Sequence, residues 1–300
     1  MFPKTILTIP QRLGAAILLL VLAACSPNAD SSEPQPGSQI SIENKGSDTL
    51  VNLALAWAET YHQIHPEISI AVTGGGTGTG MAALINGTVD IANASREMKA
   101  EEFAAAKANG IEPEEFPVAI DAIAVIVHPD NPVSELTLQQ LADIFTGRIE
   151  NWREVGGNDA LIVLLSRETN SGTHVYFLEQ VVRLGDSENT DVFAPQTLLM
   201  PSSVGITSEI RRNPNAIGYD GLGYITAHEK MIAIAPNQDA PYVLPSVAAA
   251  ASGSYPLSRF LYMYTAAAAG SPIRAYLDWI LAPEGQAIVT QLGFVSLEQK

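Results

Sequence analysis

The chain reads as an α/β protein with mainly parallel sheets, and two observations predict it. Short apolar runs alternate with amphipathic helical stretches along most of the 300 residues. Polar turns rich in Gly, Ser and Thr follow successive strands, at the carboxyl ends where open α/β sheets take their ligands. A hydrophobic content of 47% is ample for packed cores, and the length suits two domains better than one. The net charge of −16, with only 16 Lys and Arg, argues against nucleic acid or an anionic membrane surface as partner. It does not argue against a small anion held by neutral N–H and O–H dipoles and one or two Arg.

Residues 1–24 read as a signal peptide. Lys4 and Arg12 precede an apolar stretch, Leu13–Leu22, too short to span a bilayer, and Leu22-Ala23-Ala24 leads directly to Cys25. That ending resembles a bacterial lipobox, with Cys25 as the lipidated first residue of the mature chain. Cys25 is the sole cysteine, so that use leaves no thiol for a disulfide, a Cys–His nucleophile or a sulfur metal site. Residues 25–38, polar and rich in Pro and Ser, read as a tether. The expected product is exported and membrane-anchored, in a periplasm or on a cell surface.

Folded sequence is expected from Gln39. Ile40–Ile42 alternates as a strand, the turn Lys45–Thr49 follows, and a helix carrying Leu50, Leu53, Leu55, Trp57 and Tyr61 stops before Pro66. A strand over Ile68–Val72 runs into the glycine run Thr73–Gly80, with a helix over Met81–Asn86 behind it. This run lacks the Lys of a phosphate-binding P-loop, where Met81 stands, and Thr79 occupies the last glycine position of a dinucleotide fingerprint. A Gly/Thr turn entering a helix still offers bare N–H groups and hydroxyls to a small anion. The third strand, Val89–Ala94, ends in Ser95-Arg96 before a polar helix over Lys99–Asn109.

Phe116–Val127 is a long apolar segment broken by Asp121, a paired structural carboxylate or a functional acceptor. A helix over Leu136–Phe145 and an irregular segment, Gly147–Gly157, follow. The strand Leu161–Leu165, Arg167 and the turn Asn170–Thr173 then open a helix whose apolar face is Val175, Phe177, Leu178, Val181 and Val182. At such a helix start the N–H groups of Gly172, Thr173 and His174 lack intrahelical partners, and the hydroxyls of Ser171 and Thr173 lie beside them. The planar fork of Arg167 can grip two oxygens at once. A helix over Val204–Asn213, strands over Ala216–Tyr219, Met231–Ala235 and Tyr255–Tyr264, and helices over Ile273–Leu281 and Gln286–Leu292 complete the chain.

These residues match a pattern. Gly46-Ser47-Asp48-Thr49, the GGGTGTG run, Ala94–Glu97, Ser166-Arg167-Glu168, Ser171-Gly172-Thr173, Ile144–Gly147, Asn151-Trp152, Ala216–Tyr219 and Tyr255–Arg259 stand in an order that resembles the phosphate-binding lipoproteins of bacterial phosphate ABC transporters. The resemblance implies a type II periplasmic-binding-protein fold: two α/β lobes, a hinge and a central ligand cleft. Lobe 1 would comprise 39–121 plus 254–300, and lobe 2 would comprise 122–253. It further implies a monomer that binds phosphate with high affinity and delivers it to membrane permease subunits, without catalysis, cofactor, metal or nucleic acid. Carried over, the ligand residues are Ser47, Thr49, Thr77, Gly78, Ser95, Arg96, Arg167, Ser171, Gly172 and Thr173. Some family members place an Asp at the third turn to accept the proton of hydrogen phosphate, where this chain has Ser95-Arg96. Asp48, Asp121 and Glu168 stand as alternative acceptors.

Two other readings bear on the same residues. The cradle could take sulfate, molybdate or tungstate, or serve a phosphohydrolase. Against the enzyme, the five His are scattered, no HExxH or G-x-S-x-G motif exists, and no carboxylate cluster suits two metals. His174, beside Thr173, reads as a surface helix residue.

Overall fold

A computed structural model describes residues 39–297. The expected signal peptide, Cys25 and tether lie outside the described residues.

The chain opens as β1 (Ile40–Gly46), α1 (Asp48–Ile64), β2 (Ile68–Thr73), α2 (Thr77–Ile85), β3 (Ile91–Ala94) and α3 (Ala100–Ala108). The long β4 (Pro113–Val127) leads into β5 (Glu135–Thr137), α4 (Leu138–Phe145), β6 (Val163–Arg167) and α5 (Gly172–Phe177), which continues as a π-helical turn to Val182. Next come β7 (Leu198–Met200), α6 (Ser203–Ile210), β8 (Ala216–Gly221), β9 (Lys230–Met231), β10 (Ala233–Ala235) and α7 (Val247–Ala251). The chain closes with β11 (Ser258–Ala266), α8 (Ser271–Leu281) and α9 (Pro283–Gln291). Among the described residues no helix is long and apolar enough to cross a membrane.

One sheet runs β2-β1-β3-β11-β4-β8-β6-β7, with β9 beside β4. Its flanks are parallel: β1 pairs with β2 and β3, and β6 pairs with β7 and β8. Its middle is antiparallel, β11 lying between β3 and β4, and β4 between β11 and β8. The expectation of mainly parallel sheets therefore holds on the flanks and fails between them. The reason is topological: β4 carries the chain from one flank to the other, and β11 brings it back in the opposite direction.

Each flank has its own core. On the first, Leu50, Leu53, Trp57 and Tyr61 recur at helical spacing on α1 and pack on Ile42, Ile68, Leu261, Tyr276 and Ile280. On the second, Leu141, Ile144, Phe145, Trp152, Phe177 and Val181 enclose Val125, Ile217 and Tyr219. The rings of Phe177 and Tyr219 stack with centroids 3.6 Å apart.

Three sequence expectations are corrected. Helix α2 begins at Thr77, so the end of the glycine run is its first turn. Gly76 takes φ +86° ahead of it, and Gly80 sits where a Cβ would lie 2.6 Å from the carbonyl of Lys45. Strand β4 starts at Pro113 and carries Pro117 mid-strand. That proline falls where the ladder with β11 shifts register between Leu261 and Tyr262, a place where a missing N–H costs no regular bond. The single strand expected over Met231–Ala235 is two, β9 pairing with β4 and β10 with β5.

Trp57 is fully buried and its Nε1 donates to the carbonyl of Gly285 at 2.8 Å. Trp57→Ala is expected to cost about 3–5 kcal/mol, read as a lower urea midpoint at unchanged slope.

Candidate functional site

Three helix N-termini converge where the two flanks meet. At the end of β1, Gly46 is pressed so closely on Asn93 that a Cβ would lie 2.2 Å from its carbonyl oxygen, and Ser47 N–H donates to that same oxygen at 2.9 Å. Helix α1 starts at the next residue. Helix α2 starts at Thr77, and α5 starts at Gly172 behind Ser171, whose Oγ accepts from Thr173 N–H at 3.2 Å. The hydroxyls of these first turns, with that of Ser95 just after β3, meet one another. Thr49 Oγ1 and Thr173 Oγ1 are 3.0 Å apart, and Thr77 Oγ1 and Ser95 Oγ are 3.2 Å apart. Ser47, Thr49, Thr77, Ser95, Ser171 and Thr173 are all buried.

Gly172 makes that approach possible. A Cβ on it would lie 2.5 Å from both Thr77 Oγ1 and Ser95 Oγ. At the rim, Gly78 N–H donates to the carbonyl of Asn170, and Asn170 Nδ2 donates to the carbonyl of Gly75, each at 2.9 Å.

Two guanidiniums and three carboxylates surround the hydroxyls. Arg167, 1% exposed, donates from Nη2 to Asp48 Oδ2 at 2.6 Å and to the Pro201 carbonyl, from Nη1 to Ser203 Oγ, and from Nε to the Met200 carbonyl. Asp48 Oδ1 also accepts from Gly75 N–H. Ser203 Oγ donates onward to Asp220 Oδ1, which accepts from Gly221 N–H as well. Arg259 on β11 faces Asp121 across the ladder with β4, and its Nη2 reaches Thr173 Oγ1 at 2.8 Å, Asp121 Oδ2 at 3.3 Å and Thr49 Oγ1 at 3.5 Å.

Burial dominates the titration of both inner carboxylates. It pushes Asp121 up to about 6, assisted by the nearby Asp220 and opposed by Arg259. Asp220 is raised for the same first reason, with Arg167 opposing.

The structure brings together Ser47, Thr49, Thr77, Ser95, Arg167, Ser171, Gly172 and Thr173, with Gly78 at the rim. It does not bring Arg96 with them: that guanidinium makes a bidentate pair with Glu102 at 2.8 and 2.7 Å, in the first turn of α3. Glu168 is exposed, because the chain turns outward after β6, so its carboxylate faces solvent and not the hydroxyl cluster. His174 is corrected too. It is buried, 7% exposed, and its Nδ1 lies 3.0 Å from Ser166 Oγ, which is 2.6 Å from Tyr219 Oη. Burial lowers its pKa, so it sits as a neutral imidazole behind the site.

Arg259, Asp220, Ser203 and Asn170 join the cluster without having been singled out. Arg259 carried a signal, being a charge inside an apolar alternating strand. Asp220 stood one residue beyond the strand expected over Ala216–Tyr219, and Ser203 one residue before its expected helix.

Comparison with known proteins shows the family. The PBP superfamily domain matches residues 31–284. The phosphate-binding protein PstS of Pseudomonas aeruginosa is 34% identical over 296 residues, covering 93% of this chain and 90% of that one. Its namesake from Bacillus subtilis is 30% identical over 288 residues, covering 93% and 91%. A substrate-binding protein of Clostridium perfringens, crystallised with bound phosphate, superposes with a TM-score of 0.76 at 32% identity, covering 86% of this chain and 99% of that one. An ABC-type phosphate transport receptor from Vibrio cholerae gives 0.68 at 28%, covering 85% and 99%. The chain belongs to the PBP superfamily, as a PstS-like member with the type II periplasmic-binding fold.

Two outcomes follow from the geometry. Gly172→Ala forces its methyl group into two buried hydroxyls, so it is expected to hold the flanks apart and raise the radius of gyration in solution scattering. A folded-state value of about 6 against an ordinary 3.8 means that Asp121 stabilises this arrangement fully below pH 3.8. That stability is lost as pH rises through about 6. Urea titrations of the native chain and Asp121→Asn should diverge over this window, by up to about 1.4 kcal/mol per pH unit.

Proposed function

We propose that this chain binds inorganic phosphate and hands it to the permease of an ABC transporter for uptake, acting as a receptor and not as an enzyme. The observation that carries the reading is the convergence of helix N-termini and buried hydroxyls beside guanidinium groups. Helix dipoles, O–H donors and guanidinium groups suit an oxyanion stripped of water. The names of the relatives and the phosphate in the Clostridium perfringens structure support the same ligand.

Ser47, Thr49, Thr77, Ser95, Arg167, Ser171, Gly172 and Thr173 are the proposed donors, while Gly78, expected among them, has its N–H taken by the Asn170 carbonyl. The proposed lobes are 39–121 plus 254–300 and 122–253, closing about β4 and β11. Of the three expected acceptors for the ligand's proton, Asp121 fits best. Glu168 is exposed, and both oxygens of Asp48 already accept hydrogen bonds, whereas Asp121 is buried among the donors. A buried carboxylate repels a fully deprotonated anion and accepts a hydrogen bond from a protonated one, which selects phosphate over sulfate. We further propose a lipid anchor at Cys25, outside the described residues, as the chain's only membrane attachment.

Calorimetric titration of protein freed of anion tests the reading. One-to-one binding of phosphate, with little response to sulfate or molybdate and only weak dependence on salt, is expected. Sulfate or molybdate binding in place of phosphate would retain the fold and overturn the ligand. Arg167→Ala is expected to lose about 2–5 kcal/mol of binding, because Asp48 is then left uncompensated against the incoming anion.

A further inference from the structure

Resting on that phosphate reading, we propose that Arg259 is a second anion-coordinating arginine, reaching the ligand between Thr49 and Thr173 from the strand that joins the two halves.

The argument starts from a count of donors. A guanidinium has five N–H groups in a fixed fork. On Arg167 every nitrogen is engaged within the protein, by Asp48, Pro201, Ser203 and Met200. Arg259 differs. Its Nη2 makes all of its hydrogen bonds, while Nε and Nη1 are buried without a hydrogen-bond partner. The residue is 7% exposed, so water does not serve those donors in bulk. Buried donors left unpaired are costly, and a cation buried with one ion-pair contact at 3.3 Å is under-compensated. An oxyanion drawn up against this guanidinium would supply acceptors for it.

Position adds a second argument. Thr49 belongs to α1 on one side and Thr173 to α5 on the other, and Arg259 Nη2 touches both hydroxyls. The guanidinium therefore stands where a ligand bridging the two helix ends would be met. Its surroundings match a cation awaiting negative charge: the ring of Tyr176 lies 5.2 Å away, and Asp121 is held back from full ionisation by burial and by Asp220.

Phosphate titration of the full mature chain in detergent, and of Arg259→Met, Arg259→Lys, Asp121→Asn and the double variant R259M/D121N, tests this. Arg259→Met is expected to weaken binding by at least about 30-fold. Arg259→Lys should fall between it and the native chain, since it keeps the charge and loses the fork. The double variant separates coordination from mere neutralisation of Asp121, and it should bind at least about 10-fold more weakly than Asp121→Asn alone. Equal binding by those two would overturn the inference, as would native affinity in Arg259→Met with only a lowered melting temperature. Should Arg259→Met not fold, Arg259→Lys decides: affinity within about 3-fold of native would overturn the inference. Failure of the native chain to bind phosphate would instead remove the functional reading on which the inference rests.

Discussion

Compensation of buried charge is the constraint on which this structure depends. Arg167, Arg259, Asp121 and Asp220 are all at least nine-tenths buried, and Asp48 is nearly so. Ions so placed are tolerated only where partners and directed hydrogen bonds replace water. Arg167 and Asp220 stand near strand ends and Asp48 at a helix start, where backbone N–H groups help, while Asp121 lies within β4 opposite Arg259. Gly75 and Gly221 donate to Asp48 and Asp220, and Ser203 links Arg167 to Asp220. Segments from both flanks are needed to complete the set. The charge network thus adds side-chain links across a sheet whose flanks and middle are already joined by the ladders of β3 with β11 and of β8 with β4.

The middle strands explain why a single sheet can serve two cores. Each flank buries its own apolar side chains, and both cores draw on β4, through Val118 and Ala119 on one side and Ile123 and Val125 on the other. What crosses between them is β4 and β11, with Asp121 and Arg259 opposite one another in the ladder.

Much of this was legible in the sequence, and the reasons differ by feature. Periodicity revealed α1 and α8 because their apolar positions face a core at regular spacing. The strand–turn–helix pattern exposed Ser47, Thr49, Ser171 and Thr173, since a hydroxyl at a helix start has a local cause. Arg259 was harder. Its meaning comes from Asp121, 138 positions away in sequence, and from a hydroxyl on each flank, none of which a local pattern encodes. His174 misled for a related reason: four residues after the exposed Asn170, it packs on the ring of Phe193, contributed from a distant segment. Arg96 looked like a ligand residue until Glu102, six positions on, proved to hold it.

Charge arithmetic links the cluster to selectivity. With every group ionised, Asp48, Asp121 and Asp220 against Arg167 and Arg259 leave the site one negative charge in excess, before any anion arrives. A dianion would enter against that excess, at distances where interior screening is weak. Donors alone do not make such a site select phosphate, because N–H and O–H groups serve sulfate equally well. The excess does. It favours whichever anion brings its own proton. Sulfate brings no proton at neutral pH and meets the carboxylates unrelieved. The discrimination therefore comes from the cluster's own carboxylates, and the chain's overall charge does not enter it.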